Sequence, residues 1–133
     1  MSVRLLVTYG TLLRRFERHG VLGVEEDLEF VTRTRLNGEL YNLGAYPGAI
    51  PGDGIVCGEL FRIHRPGAIR RIDRYEGYNS DREEASLFVR RRVSLNVPTD
   101  ETAWVYWYNG DVSEYERIPS GDWTDVSDGI GDA

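Results

Sequence analysis

The architecture predicted for this chain is organised around Pro66-Gly67-Ala68-Ile69-Arg70-Arg71-Ile72-Asp73-Arg74-Tyr75-Glu76-Gly77-Tyr78. A Pro-Gly pair opens this stretch and Gly77 closes it, which predicts a short helix. Residues three or four positions apart share one face of a helix, so Ile69, Ile72 and Glu76 line up on one side. The arginines and the aspartate, which belong in water, fall mostly on the other sides. The pattern therefore leaves a glutamate on the apolar face.

This placement makes Glu76 a candidate general acid/base. Burial on the apolar face and the negative end of the helix dipole both disfavour ionisation, so the pKa of Glu76 is expected above its usual value. A carboxylate held where its charge costs stability is a candidate for proton transfer. The alternative is an ion pair with Arg74 or a distant arginine at a solvated helix end.

A second candidate element follows the first predicted strand. Residues 3–9 alternate and place Val3, Leu5, Val7 and Tyr9 on one face. Gly10 then lets the backbone turn into a short helical segment that ends before Gly20. Such a turn leaves backbone N–H groups unpaired, and these suit a carboxylate or another anion. An ordinary strand-to-helix turn is the alternative. The residues of the loop are Tyr9, Gly10, Thr11 and Leu12.

The remaining patterns predict mostly strands, at 29–36, 39–42, 55–63, 88–96 and 103–108. Asn37-Gly38 is a hairpin-turn signal between the first two. Residues 44–54, rich in glycine and proline, are predicted to form a long loop. This loop either walls a pocket, with Tyr46 and Pro47 as its apolar surface, or simply connects two strands.

This element pattern predicts an α+β fold. Five or six strands with one or two short helices and no βαβ rhythm favour a small mixed, mostly antiparallel, barrel-like sheet. One domain is expected over residues 1–119, with a polar, mobile tail over 120–133.

Composition excludes several classes of protein. The net charge of −6 argues against nucleic-acid binding, and no apolar run approaches the ~20 residues of a membrane span. A lone Cys57 and the absence of a signal-peptide pattern predict a cytoplasmic protein. His19 and His64 have no nearby paired ligands, so no metal site is expected.

In their order along the chain, the segments resemble the γ-glutamylcyclotransferase-like proteins. The resemblance spans about the first 123 residues. Its motifs are Val7-Thr8-Tyr9-Gly10-Thr11-Leu12, Tyr46-Pro47-Gly48, Val56-Cys57-Gly58-Glu59-Leu60-Phe61-Arg62-Ile63, Ile72-Asp73-Arg74-Tyr75-Glu76-Gly77-Tyr78, Leu87-Phe88-Val89-Arg90-Arg91-Arg92-Val93, Ala103-Trp104-Val105-Tyr106-Trp107-Tyr108 and Gly121-Asp122-Trp123.

The resemblance implies an enzyme that needs no cofactor or metal and acts on a small γ-glutamyl amine or peptide. The α-amine of the γ-glutamyl group attacks its own γ-carbonyl, giving 5-oxoproline and a free amine. By resemblance, the catalytic glutamate falls on Glu76 and the substrate-cradling loop on residues 9–12. Tyr78 either supplies a further hydroxyl to the substrate or is a half-buried packing aromatic.

One position departs from the pattern, because many relatives carry tyrosine where this chain has Phe88. The alternative function is therefore a non-catalytic relative that binds a small carboxylate or amine in the same pocket. The sequence favours no particular amine and no particular oligomeric state.

Overall fold

A computed structural model describes residues 3–95 and 101–126, in which six strands form one sheet. The strands are β1 (Leu5–Thr8), β2 (Leu28–Asn42), β3 (Pro47–Ile63), β4 (Phe88–Ser94), β5 (Thr102–Tyr108) and β6 (Glu116–Arg117). Their order in the sheet is β4-β5-β1-β3-β2-β6. Only β1 and β5 pair in parallel; the other described pairs are antiparallel. The α+β class and the mixed, mostly antiparallel sheet, curled into a half-barrel, are confirmed.

The helices of the described residues include α1 (Arg18–Leu22) and α2 (Gly67–Glu76), together with short 3-10 turns at Arg14–Phe16 and Glu83–Ala85. Residues 123–126 are also helical. Helix α2 is the helix that the sequence predicted. Gly77 ends it with a φ of 70°, a left-handed conformation that glycine adopts at little cost. None of the described helices is long and apolar enough to cross a membrane.

The sheet is buried on both faces. Leu5 and Val7 of β1 pack into one hydrophobic cluster, together with Trp107 of β5. Leu6, between them, packs into a second cluster that includes Ile72 of α2. The alternation placed Leu5 and Val7 on one face of this strand, and its position between β3 and β5, with α2 over one side, buries both faces.

The hairpin turn predicted at Asn37-Gly38 is wrong. Strand β2 runs through this dipeptide without reversing, and the pairing with β3 shifts register between Asn37 and Glu39. A side chain at Gly38 would approach the Ile50 carbonyl oxygen to 2.8 Å and the Trp107 ring to 3.1 Å. Glycine at position 38 thus leaves room for the close contact with the core residue Trp107 at the register shift of β2, and it does not form a chain reversal.

The long loop predicted over residues 44–54 is also mostly wrong, because β3 begins at Pro47. The reversal occupies only residues 43–46, where the Leu43 N–H donates to the Tyr46 carbonyl over 3.1 Å. Residues 39–42 need antiparallel partners, and residues 47–50 supply them. The ladder hydrogen bonds therefore override the turn propensity of the glycines and prolines.

The chain after residue 119 packs more closely than its polar composition indicated. Trp123 is only 3% exposed and belongs to the first hydrophobic cluster. The Cys57 N–H donates to the Gly121 carbonyl over 2.8 Å, which fixes this segment to β3. A single indole supplies enough apolar area to hold a short polar segment on the sheet. Residues 127–133 of the predicted tail lie outside the described residues.

The docking of this segment predicts a large effect of Gly121→Ala. Gly121 has a φ of 69°, and a side chain there would overlap the Ile55 carbonyl oxygen. We expect a loss of more than about 2 kcal/mol in the free energy of unfolding, measured with urea, because strain and steric overlap add. Gly44→Ala is the control, since Gly44 has a φ of 109° but no neighbour within 4 Å. It should lose only the roughly 1–2 kcal/mol of backbone strain. Equal losses in the two variants would contradict the docking.

Candidate active site

A cavity of about 270 Å³ opens beside the carboxyl end of α2. Its walls come from the loop after β1, the turn between β2 and β3, the last turn of α2, the start of β4 and the middle of β5. The residues that line it include Thr8, Tyr9, Gly10, Thr11, Leu12, Arg18, Tyr46, Pro47, Tyr75, Glu76, Leu87, Phe88 and Tyr106. A concave, mainly apolar space with a few polar groups is typical of a small-molecule site.

The cavity brings together every predicted site residue except Tyr78. The Tyr78 hydroxyl donates to the Glu83 carboxylate over 2.6 Å, and the ring packs partly buried against the core. The left-handed turn at Gly77 ends the helix before this residue, so Tyr78 leaves in a different direction from Glu76. Among the described residues, Tyr78 thus serves as a half-buried packing aromatic, the second of the two roles that its sequence position allowed.

The loop after β1 lies directly against the turn between β2 and β3. A side chain at Gly10 would come within 2.7 Å of the Pro47 ring, so glycine is needed for this close approach. Gly10 does not have a positive φ, so its role is contact rather than a special backbone conformation. Among the described residues, no hydrogen bond is assigned to the backbone N–H groups of Gly10, Thr11 and Leu12. All three residues line the cavity, and the binding of an anion by their N–H groups stays a prediction.

Two side-chain hydrogen bonds fix this loop in place. The Thr11 hydroxyl and the Tyr75 hydroxyl lie 2.6 Å apart, which joins the loop to α2. The buried His19 ring donates from Nε2 to the Leu12 carbonyl over 2.7 Å. Neither contact could be predicted from spacing, because each joins segments that only the fold brings together.

The Tyr9 hydroxyl serves the structure of the cavity. It donates to the Tyr106 carbonyl over 2.6 Å and accepts from the Ala49 N–H over 3.1 Å. Burial, and secondarily the nearby charge of Glu76, raise the pKa of Tyr9 far above the neutral range. Tyr9 therefore contributes a neutral ring to the wall, with its hydroxyl already satisfied.

Glu76 is the last residue of α2, and it lines the cavity. Burial raises the pKa of Glu76 to about 8, as the sequence pattern predicted in direction. The ion pair considered as the alternative does not form: among the described residues, no hydrogen bond or ion pair is assigned to this carboxyl group. A carboxyl group with this pKa can both accept and donate a proton near neutral pH.

A partly buried ionic contact one turn earlier holds α2 on the sheet. The Asp73 carboxylate accepts hydrogen bonds from Arg90 Nε over 2.9 Å and from the Tyr106 hydroxyl over 2.6 Å. Burial and the Asp73 carboxylate raise the pKa of Tyr106 well above its ordinary value. This contact fixes the end of the helix, and with it Glu76.

Sequence reasoning missed several residues of the wall. Arg18, at the start of α1, lines the cavity as an exposed cation, and Thr8 lines it as a buried hydroxyl. Tyr75 and Tyr106 also line it, although their positions gave no signal beyond aromatic packing. Phe88, noted as a departure, forms part of the wall and contacts Tyr108 with ring centroids 5.6 Å apart.

Comparison with known proteins identifies the class to which this fold and site belong. Residues 6–125 match the family described as "Gamma-glutamyl cyclotransferase, AIG2-like". The match covers most of the chain, including every element of the cavity. The chain belongs to this family, as the resemblance of its motifs indicated.

Individual relatives agree with this assignment. "Gamma-glutamylcyclotransferase family protein YtfP" of Escherichia coli K12 is 35% identical over 89 residues, which cover 67% of this chain and 70% of that protein. A "Putative gamma-glutamylcyclotransferase" of Vibrio cholerae is 31% identical over 127 residues, 90% of this chain and 94% of the relative. The solution structure of protein ytfP from Escherichia coli superposes with a TM-score of 0.68 at 27% identity, covering 92% of this chain and 98% of that one.

The buried carboxyl group predicts an unusual dependence of stability on pH. The folded-state pKa of Glu76, about 8, lies above the unfolded value near 4.3. The neutral carboxyl therefore stabilises the fold fully below about pH 4.3, and this contribution is lost as the pH rises to about 8. Between those values wild type should lose up to about 1.4 kcal/mol per pH unit relative to Glu76→Gln.

Urea unfolding of both proteins from pH 5 to 9 measures this difference. Glu84→Gln, which removes an exposed carboxylate, is the matched control. A constant difference between wild type and Glu76→Gln across the range would show that Glu76 ionises normally in the folded protein.

Proposed function

We propose that this protein is a γ-glutamylcyclotransferase that converts a γ-glutamyl amine or peptide to 5-oxoproline and a free amine. Membership of the family supports the class of protein. The observation that carries the activity is the Glu76 carboxyl group in the cavity wall, unpaired among the described residues and with its pKa raised by burial.

In the proposed reaction Glu76 moves protons between two nitrogen atoms of one substrate. Its carboxylate accepts a proton from the α-ammonium group, and the freed amine attacks the γ-carbonyl carbon. The protonated Glu76 then donates to the leaving nitrogen as the original carbon–nitrogen bond breaks. The regenerated Glu76 carboxylate carries a second proton from the α-nitrogen to the departing amine, so the α-nitrogen loses two protons in total and the amine, released as an ammonium ion, gains two. Nucleophile and electrophile belong to one molecule, so much of the entropic cost of bringing them together is avoided.

The loop of residues 9–12 stabilises charge in this proposal. Its unpaired N–H groups point to a role in holding the substrate's α-carboxylate or the oxyanion that forms at the γ-carbonyl. The loop is fixed before substrate arrives, through Thr11 to Tyr75 and through Leu12 to His19. Donors that need no reorganisation stabilise a transition state most effectively.

A second candidate function follows from Phe88. If the tyrosine of relatives contacts their substrate, the phenyl ring in this cavity wall cannot supply that hydroxyl. The protein would then bind a small carboxylate or amine without turnover. Glu76, intact in the wall, favours catalysis.

Release of 5-oxoproline from a panel of γ-glutamyl substrates tests the two functions. The panel contains glutathione, γ-glutamyl amino acids and γ-glutamyl-lysine. Wild type should release 5-oxoproline from at least one of them, and Glu76→Gln should lose about 100-fold or more in kcat, because an amide cannot relay a proton. Glu84→Gln should retain wild-type turnover. No release by folded wild type, in an assay validated with an active enzyme, would favour the binding function.

The pH dependence of kcat/KM provides an independent test. The free enzyme needs the Glu76 carboxylate to accept the first proton, so kcat/KM should rise up to tenfold per pH unit and level off near pH 8. The measurement is a set of initial rates from pH 5.5 to 9 with the best substrate of the panel. A kcat/KM that stays constant from pH 5.5 to 9 would exclude a carboxyl group with a raised pKa as the proton acceptor.

A further inference from the structure

The cavity wall carries one basic side chain that the proposed proton relay does not use. Among the described residues that line the cavity, Arg18 is the only one with a permanent positive charge. Arg18 is exposed, and no described carboxylate lies within ion-pair distance of its guanidinium group. In a chain with 22 acidic and 16 basic residues, an arginine that remains unpaired beside a cavity is available to an anionic ligand.

The same wall carries a buried hydroxyl group that lacks a partner. Thr8 is 5% exposed, and its Oγ1 is the one buried side-chain N or O atom without a hydrogen bond among the described residues. Leaving a buried hydroxyl unpaired costs roughly 1–3 kcal/mol. The alternation of β1 puts Thr8 on the same face as Leu6, which packs in the cluster beneath α2. Thr8 therefore lies on the side of the strand that faces the helix carrying Glu76.

We propose that Arg18 binds the α-carboxylate of the substrate and that the Thr8 hydroxyl donates a hydrogen bond to its γ-carbonyl oxygen. This assignment rests on the proposed function, which defines the substrate as a γ-glutamyl compound. It makes Arg18 the specificity-determining residue for the carboxylate, and Thr8 a second donor to the reacting carbonyl.

The division of roles follows from burial and charge. The reacting amine and carbonyl must lie beside Glu76, and Thr8 is the buried hydroxyl on that side of the strand. The α-carboxylate does not react, so it can lie toward the exposed Arg18. Glu76 and Arg18 do not pair with each other, although both line the cavity. A ligand with an ammonium group and a carboxylate can therefore satisfy both.

Two lactams separate the two contacts without any turnover. 5-Oxoproline has both a carboxylate and the ring carbonyl, whereas 2-pyrrolidinone has only the carbonyl. Calorimetric titration of wild type should show tighter binding of 5-oxoproline. Arg18→Gln should lower the affinity for 5-oxoproline about tenfold or more and leave the affinity for 2-pyrrolidinone unchanged. Arg18→Lys should restore part of the loss, because it keeps the charge but not the planar fork.

Arg70→Gln removes an exposed arginine of α2 that does not line the cavity, and it is the matched control. Equal affinity of wild type for the two lactams, or an equal effect of Arg18→Gln on both, would overturn the role of Arg18. These titrations do not require catalysis. A protein that releases no 5-oxoproline, yet binds it through Arg18, would refute the proposed function and leave the carboxylate site established.

Thr8→Val tests the second contact and has opposite effects on stability and binding. Valine removes the unpaired hydroxyl while keeping the shape, so the ligand-free variant should melt a few degrees higher than wild type. Its affinity for both lactams should fall, since both contain the carbonyl, and Thr8→Ser should bind nearly as wild type does. Unchanged affinity of Thr8→Val for 2-pyrrolidinone would overturn the role of Thr8.

Discussion

The hydrogen-bonded ion pair between Asp73 and Arg90 fixes the end of α2 against the sheet. Asp73 also accepts the Tyr106 hydroxyl, so one carboxylate connects the helix to β4 and β5. The side chains of Asp73 and Arg90 are 17% and 19% exposed, and burying such charges offsets much of their attraction. The contact therefore positions the end of α2 more than it stabilises the fold. Glu76 follows three residues later, on the same helix, and its place in the cavity depends on this anchor.

The pKa of Glu76 is raised because apolar packing surrounds its carboxyl group. Ile69 and Ile72 bury the helix face that carries Glu76, and Leu6 and Phe61 of the sheet complete the same cluster. That packing removes water from the carboxyl group, which disfavours its charged form. The interactions that hold α2 on the sheet are thus the cause of the raised pKa. The same contacts stabilise the fold and raise the pKa on which the proposed chemistry depends. Ionisation of Glu76 therefore lowers the free energy of unfolding.

Local signals predicted the parts of the fold that local contacts determine. The boundaries of α2, its glycine end and the buried position of Glu76 follow from spacing within a dozen residues. The errors at Asn37-Gly38 and at residues 44–54 arose where β2 and β3 pair over their whole length. There the ladder outweighs the turn propensity of single dipeptides.

The residues of the candidate site also fall into those that local sequence predicts and those that it does not. The residues predicted for it lie within motifs that are continuous in sequence, whereas the remaining residues depend on contacts between distant segments. His19 holds Leu12 from the following helix, and nothing in its neighbourhood indicates this. Thr8 reads as an ordinary strand residue until the sheet shows that its hydroxyl lacks a partner. Trp123 similarly reads as part of a polar tail until its indole is found in the core.

The pKa of Glu76 determines whether one carboxyl group can perform both proton transfers. An α-amino group titrates near pH 8, so a normal glutamate, near 4.3, would accept its proton only at a cost of about 5 kcal/mol. With a pKa of about 8 the carboxyl group accepts that proton almost without cost. It then remains acidic enough to protonate a leaving nitrogen whose basicity rises as the carbon–nitrogen bond breaks. Burial adjusts Glu76 to the substrate amine from which it takes the proton, and this match is the physical basis of the proposed cyclisation.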